Sequence, residues 1–193
     1  LVDALALFPP WAKGCLTRMA VYVALLYSIG LDPGRRVVMA DLKAMAESLG
    51  FRNARTLVST GNLVLEAEPQ PIASIEAQLE AGFAAAFGKH VDIIARDADA
   101  WLKLAEGNPF LDGIASEVIV RVMRQPLEPD VLDMLARYKR DERMAVVNGD
   151  LWIDFGLKAS ESKMLPALTT KRLGIGTMRN WNTVRGLAEM IRA

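Results

Sequence analysis

The sequence predicts an α+β fold built from two βαββ-type units in tandem. Short apolar runs rich in β-formers alternate with segments of helical periodicity. Turn signals sit between paired runs, and the order of elements before residue 97 is partly repeated after it. Apolar residues make up 52% of the 193-residue chain, enough for a core and more than a disordered chain carries.

The first run, VYVALLY from Val21, reads as a buried strand. The Gly- and Pro-containing stretch from Ser28 to Arg36 reads as a loop. Met39, Leu42, Met45, Ala46 and Leu49 then recur at helical spacing, with Gly50 where a C-terminal glycine belongs. Two strand-like runs, ARTLVS and LVLEA, flank Thr60-Gly61-Asn62 and suggest a hairpin. Pro71 opens a second helix that carries Ile72, Ile75, Leu79 and Phe83 on one face and stops at Gly88. VDIIAR closes the first unit as a strand, giving β-α-β-β-α-β over residues 19–97.

The remainder, residues 98–193, repeats most of that order. A helix bearing Trp101, Leu102 and Ala105 ends near Gly107, and Asn108-Pro109-Phe110 is a turn. EVIVRVM reads as a strand, and Val131, Leu132, Leu135 and Tyr138 share a helix face. MAVVN and LWIDF flank Asn148-Gly149, the strongest short-range hairpin signal in the chain. A helix over Ser160 to Leu168 follows, which leaves the second unit one strand short. A C-terminal helix carries Val184, Leu187, Ala188 and Ile191, with Asn180 or Asn182 placed to cap it.

Composition excludes several functions. Lys plus Arg equals Asp plus Glu at 23 each, so no general attraction to nucleic acid or anionic membrane is expected. The chain has one cysteine (Cys15) and one histidine (His90), which excludes zinc sites of the usual Cys/His type and an internal disulfide. No metal and no cofactor is expected, and the cysteine usage fits a reducing compartment, hence the cytoplasm. No run of about 18 apolar residues is present to span a membrane. Residues 1–18 are apolar but broken by Pro9-Pro10 and lack a basic region before the apolar stretch, so they do not read as a signal peptide. They read as a leader outside the fold, with an arm packed through Trp11 as the alternative.

Four blocks, VYVALLYSIG, VVMADLKAMAESLGF, RTLVSTGN and TMRNWNTV, occur in this order between Val21 and Arg192. With them the chain resembles the bacterial domain-of-unknown-function family numbered 1697. The resemblance implies a pair of ferredoxin-like plaits, in agreement with the element order, and implies no established chemistry. One position departs from the family pattern. Where the family places an arginine after the first strand, this chain has Tyr27, which puts any function of that arginine in doubt.

Topology indicates where a ligand would sit. In a βαββαβ unit the first two strands run parallel, joined by a crossover helix. The loop after strand one and the turn after strand two then lie at one end of the sheet. That brings Gly30, Gly34, Arg35 and Arg36 near Thr60, Gly61 and Asn62, beside the N-terminus of the first helix. Glycines admit close backbone approach and arginines grip carboxylate or phosphate, so an anion site is expected there; tight turns and solvated arginines are the plainer alternative. A second candidate is Arg179-Asn180-Trp181, in a segment from Leu157 onward with seven cations and two anions. Trp181 could stack on a base there; the alternative is a core anchor, with Arg179 paired to a carboxylate of the first unit. Asp150 and Asp154, at even spacing, are expected on a solvent face. Gly174-Ile175-Gly176 is half of a dinucleotide fingerprint without its βαβ setting and is discounted.

These features favour a binding module for a small anionic ligand or phosphate-bearing partner. Two other classes stay open: an enzyme using Arg, Asn and Thr side chains, and a scaffold that forms a homodimer through a sheet edge.

Overall fold

The first apolar run becomes strand β1 (Ala20–Leu26), and it is apolar throughout because both of its faces are covered. The computed structural model describes residues 19–32 and 34–193; the expected leader, with Trp11 and Cys15, lies outside them. β1 is followed by a short hairpin, β2 (Gly30–Asp32) and β3 (Arg35–Arg36), then helix α1 (Met39–Ser48) and strand β4 (Arg52–Thr56). Strand β5 (Asn62–Ala67), helix α2 (Ile72–Phe87) and strand β6 (Ile93–Asp97) complete the first half. The four long strands pair antiparallel in the order β4-β5-β1-β6.

One face of this sheet presents Tyr22, Ala24, Leu26, Leu63 and Leu65 to the apolar sides of α1 (Leu42, Met45) and α2 (Ile75, Leu79, Phe83). These are the positions that the helical periodicity marks. α2 stops at Gly88, whose φ of 73° is the left-handed geometry that glycine adopts without strain.

Helix α3 (Ala98–Glu106) leads into the second half: strand β7 (Val118–Met123), helix α4 (Val131–Ala136), strands β8 (Arg143–Val147) and β9 (Asp150–Asp154), helix α5 (Thr170–Leu173), strand β10 (Gly176–Asn180) and helix α6 (Trp181–Arg192). Its sheet has the order β10-β7-β9-β8, again antiparallel. Asn148 and Gly149 both have positive φ (52° and 84°), as the two-residue β8–β9 turn requires.

The fold is therefore α+β, with three corrections of detail. The second half is not a strand short, because β10 pairs with β7 and supplies it. The segment Ser160–Leu168 is not one helix but two single 3₁₀ turns, Ala159–Glu161 and Leu165–Ala167. The Ser162 hydroxyl accepts from the Met164 N–H (3.0 Å), a local bond that competes with helical pairing, and Pro166 has no N–H to give. The stretch after β1, read as loop, contains the β2–β3 hairpin.

The two sheets turn faces toward a shared core. Val23, Leu25, Val64 and Ile94 from the first meet Val118, Val120, Val122 and Trp152 from the second, with Trp101 of α3 and Val184 and Leu187 of α6 filling the remainder. This arrangement overturns the expected solvent face of Asp150 and Asp154. They share the β9 face of Trp152, which the first half covers, and are 5% and 7% exposed.

Candidate functional site

The shared end of the first sheet forms as the topology requires. The Leu26 N–H donates to the Gly61 carbonyl (2.9 Å), and a Cβ on Gly61 would stand 2.7 Å from Ile29, so the loop after β1 and the turn after β4 touch. Gly61 has φ 74°, so this close approach and this geometry both call for glycine. From there the β2–β3 hairpin leans away, toward the end of α2. Lys89 holds it there by donating to the Gly30 carbonyl (2.8 Å), and Val37 N–H returns to the Ile29 carbonyl (2.9 Å). Gly34 lies exposed in the hairpin turn with φ 82°.

A concavity of about 630 Å³ opens between this hairpin, α1 and the end of α2. Leu31, Val37, Met45 and Phe87 make its floor, the short side chains of Ala44 and Ala86 its sides, and Arg35, Arg36, Asp41 and Ser48 its polar rim. Val38 precedes the first turn of α1, and among the described residues the N–H groups of that turn have no side-chain cap. Arg36 is exposed.

Thr60, Asn62 and Arg179 are brought together, but away from this concavity and for a different purpose. Arg179, on β10, is 7% exposed. Its Nε donates to Asn62 Oδ1. Nη1 donates to the Thr177 hydroxyl and the Met178 carbonyl, both at 2.8 Å. Nη2 donates to the carbonyls of Leu26 (2.8 Å) and Thr60 (3.2 Å). All five N–H donors are thus used, and every acceptor is neutral. The expected carboxylate partner of Arg179 is absent among the described residues. Burial without a counter-ion pushes the guanidinium down to about 10. Asn62 is fully buried and donates in turn to the Leu57 carbonyl (3.0 Å) and the Thr60 hydroxyl (2.8 Å). The group fastens the β4–β5 turn and the end of β1 to β10.

Thr60, Arg179 and Asn180 also line a smaller hollow of about 240 Å³, with Ser116 and Thr183. Asn180 caps α6, its Oδ1 accepting from the Thr183 N–H (3.0 Å) and hydroxyl (2.9 Å). Trp181 packs edge-on against Trp152, ring centroids 5.9 Å apart, as a core anchor. The ten candidate residues therefore divide. Arg35 and Arg36 face the large concavity, beside Gly30 and Gly34 of the same hairpin. Thr60, Gly61, Asn62 and Arg179 hold the two sheets together, whereas Asn180 caps α6 and Trp181 anchors that helix on Trp152.

Sequence reasoning missed a second polar seam between the halves. On α2, Glu80 Oε1 accepts from Ile93 N–H (2.9 Å) and Glu76 Oε1 from Ala95 N–H (3.0 Å), which closes the free edge of β6. Arg124, just past β7, pairs with Glu80 and lies 3.6 Å from Glu76. Arg96 on β6 reaches Asp150 (3.4 Å), whose Oδ1 also accepts from Met123 N–H (2.7 Å). Burial holds the carboxyls of Glu76 and Asp150 above the usual range, opposed by Arg124 and Arg96. Arg121, in the middle of β7, is 3% exposed, and burial lowers its guanidinium. A charge inside the apolar run VIVRVM was the one available signal. Among the described residues no cluster of three His, Cys, Asp or Glu could hold a metal, and no helix is long and apolar enough to cross a membrane.

Against known families, residues 19–152 match the model described as a protein of unknown function, DUF1697. The chain belongs to this family. No curated protein matches it. Among solved structures, this DUF1697 member is similar to the conserved bacterial protein SP0830 from Streptococcus pneumoniae, at 19% identity and a TM-score of 0.70. The match covers 91% of this chain and 99% of that one, and at this identity it speaks to the fold alone.

Proposed function

We propose that the protein is a binding module for a small anion, held in the concavity between the β2–β3 hairpin, α1 and α2. The observation that carries this is the pairing of Arg35 and Arg36 on one rim with the uncapped first turn of α1 in the same cavity. Guanidinium groups and a helix N-terminus both favour negative charge, and Asp41 is the one carboxylate among the described lining residues. A volume of about 630 Å³ lies within the range of small-molecule sites.

The frame for this reading is two ferredoxin-like plaits, 19–97 and 98–193, in a cytoplasmic protein. The orders β6-β1-β5-β4 and β10-β7-β9-β8 support the plaits, since each puts the fourth and third strands of its unit on either side of the first. A scaffold is the second reading. It is favoured by the saturation of Arg179, which spends a whole guanidinium on joining the halves.

A thermal-shift screen with phosphate, sulfate and simple carboxylates separates the two. At 100 times Kd a ligand adds about 2.7 kcal/mol, a rise of roughly 5–10 °C for a chain of this size. Arg36→Gln should abolish that rise without lowering the melting temperature of the unliganded protein. If no anion moves the transition, or Arg36→Gln leaves the shift intact, the anion site is wrong and the scaffold stands.

A further inference from the structure

Resting on the anion site just described, we infer that its ligand is an amphipathic carboxylate with an aliphatic body. The polar groups of the cavity are confined to one rim, whereas its floor is Leu31, Val37, Met45 and Phe87. The first three of these are at most 9% exposed and belong to the core beneath, so the floor is fixed rather than adaptable. Lys89 pins the hairpin wall to the end of α2. At the mouth, Val38 is 59% exposed, an apolar side chain with nothing over it.

Inorganic phosphate would engage the rim and leave this floor wet. A nucleotide or sugar phosphate needs donors and acceptors along its whole length. Beyond the two arginines the described lining residues offer only Ser48 and Asp41 as polar side chains. A carboxylate carrying a chain of several methylenes meets both requirements: its head lies between the arginines and the first turn of α1, and its tail lies over Met45 and Phe87. Ala44 and Ala86 are exposed helix positions whose small side chains leave the space the tail would take.

The test is calorimetric titration of the full chain with acetate, butyrate, hexanoate and octanoate at constant pH and ionic strength, with octylammonium and inorganic phosphate as controls. Affinity should rise about fourfold per buried methylene, and octylammonium should bind at least tenfold more weakly than octanoate. Ala44→Leu, a change at an exposed helical position with little effect on folding, should flatten the rise from butyrate to octanoate. Equal affinity across the series, or phosphate binding as tightly as octanoate, overturns this inference and leaves the anion site standing. Octylammonium matching octanoate overturns it as non-specific adhesion. If no anion binds at all, the site itself fails and the inference with it.

Discussion

Replacing Arg179 tests whether the fastening between the sheets is as strong as its geometry. Arg179→Met keeps much of the stem volume and removes every donor. Asn62 Oδ1 and the Leu26 carbonyl, in residues no more than 1% exposed, then lose their guanidinium partner. Leaving a buried acceptor unpaired costs about 1–3 kcal/mol; Asn62 Oδ1 bears that in full, and the Leu26 carbonyl keeps only the longer bond from the Thr177 hydroxyl (3.4 Å). The carbonyl of Thr60 and the hydroxyl of Thr177 add less, the first being nearer water and the second free to rotate. Against this, the variant no longer buries a cation. Lowering the guanidinium to about 10 corresponds to roughly 3 kcal/mol of charge-burial penalty. The net expectation is a loss of about 2 kcal/mol. Arg179→Lys keeps the charge but has three donors and no planar fork, so it retains the penalty while losing partners, and should cost about 4 kcal/mol. Urea unfolding followed by the fluorescence of the fully buried Trp101 and Trp152 reads both. With a slope near 2 kcal/mol per molar urea, the midpoints should fall by about 1 M and 2 M. A lysine variant as stable as the parent, or a methionine variant within 0.5 kcal/mol of it, would refute the fastening.

Two further expectations concern other parts of the molecule. Gly88 and Gly149 both have positive φ, but a Cβ at Gly88 meets open space whereas one at Gly149 would lie 2.4 Å from Pro126 Cβ and 2.8 Å from its Cα. Gly88→Ala should therefore cost about 1 kcal/mol and Gly149→Ala about 3 kcal/mol by the same urea assay; equal losses would mean that the close approach is unimportant. Asp150 has its carboxyl raised by burial, so the folded state binds its proton more tightly than the unfolded state does. Its contribution is most favourable below the ordinary carboxylate range and is lost as pH climbs through the raised value. The stability of the parent relative to Asp150→Asn should accordingly fall across that window. A relative stability that rises with pH would mean that the Arg96 ion pair outweighs burial.

Much of the architecture was legible because local and global preferences agree. VYVALLY is apolar at consecutive positions since it is covered on both faces, and Asn148-Gly149 names its turn because few other pairs tolerate two positive φ values. β10 escaped notice because Gly176 and Asn180 are poor advertisements for a strand, and its five residues pair only with β7. The Asp150/Asp154 alternation was read correctly, but alternation cannot say which face another sheet will cover. The role of Arg179 was the least accessible, since its acceptors on Leu26, Thr60 and Asn62 lie far back in the chain and none is charged. For the candidate site the sequence marks Arg35 and Arg36 beside a helix N-terminus, and they line one concavity with the start of α1. It could not show that the hairpin carrying them bends toward α2 rather than toward Asn62.

The span of the Arg179 contacts bears on how the chain is made. Leu26 and Asn62 leave the ribosome 153 and 117 residues before the arginine that joins them to the rest. Until then the nascent first half carries a bare oily surface made by Val23, Leu25, Val64 and Ile94. Such a surface is prone to wrong associations during translation, so dependence on chaperones should be concentrated in that interval and should end once β10 and α6 have emerged.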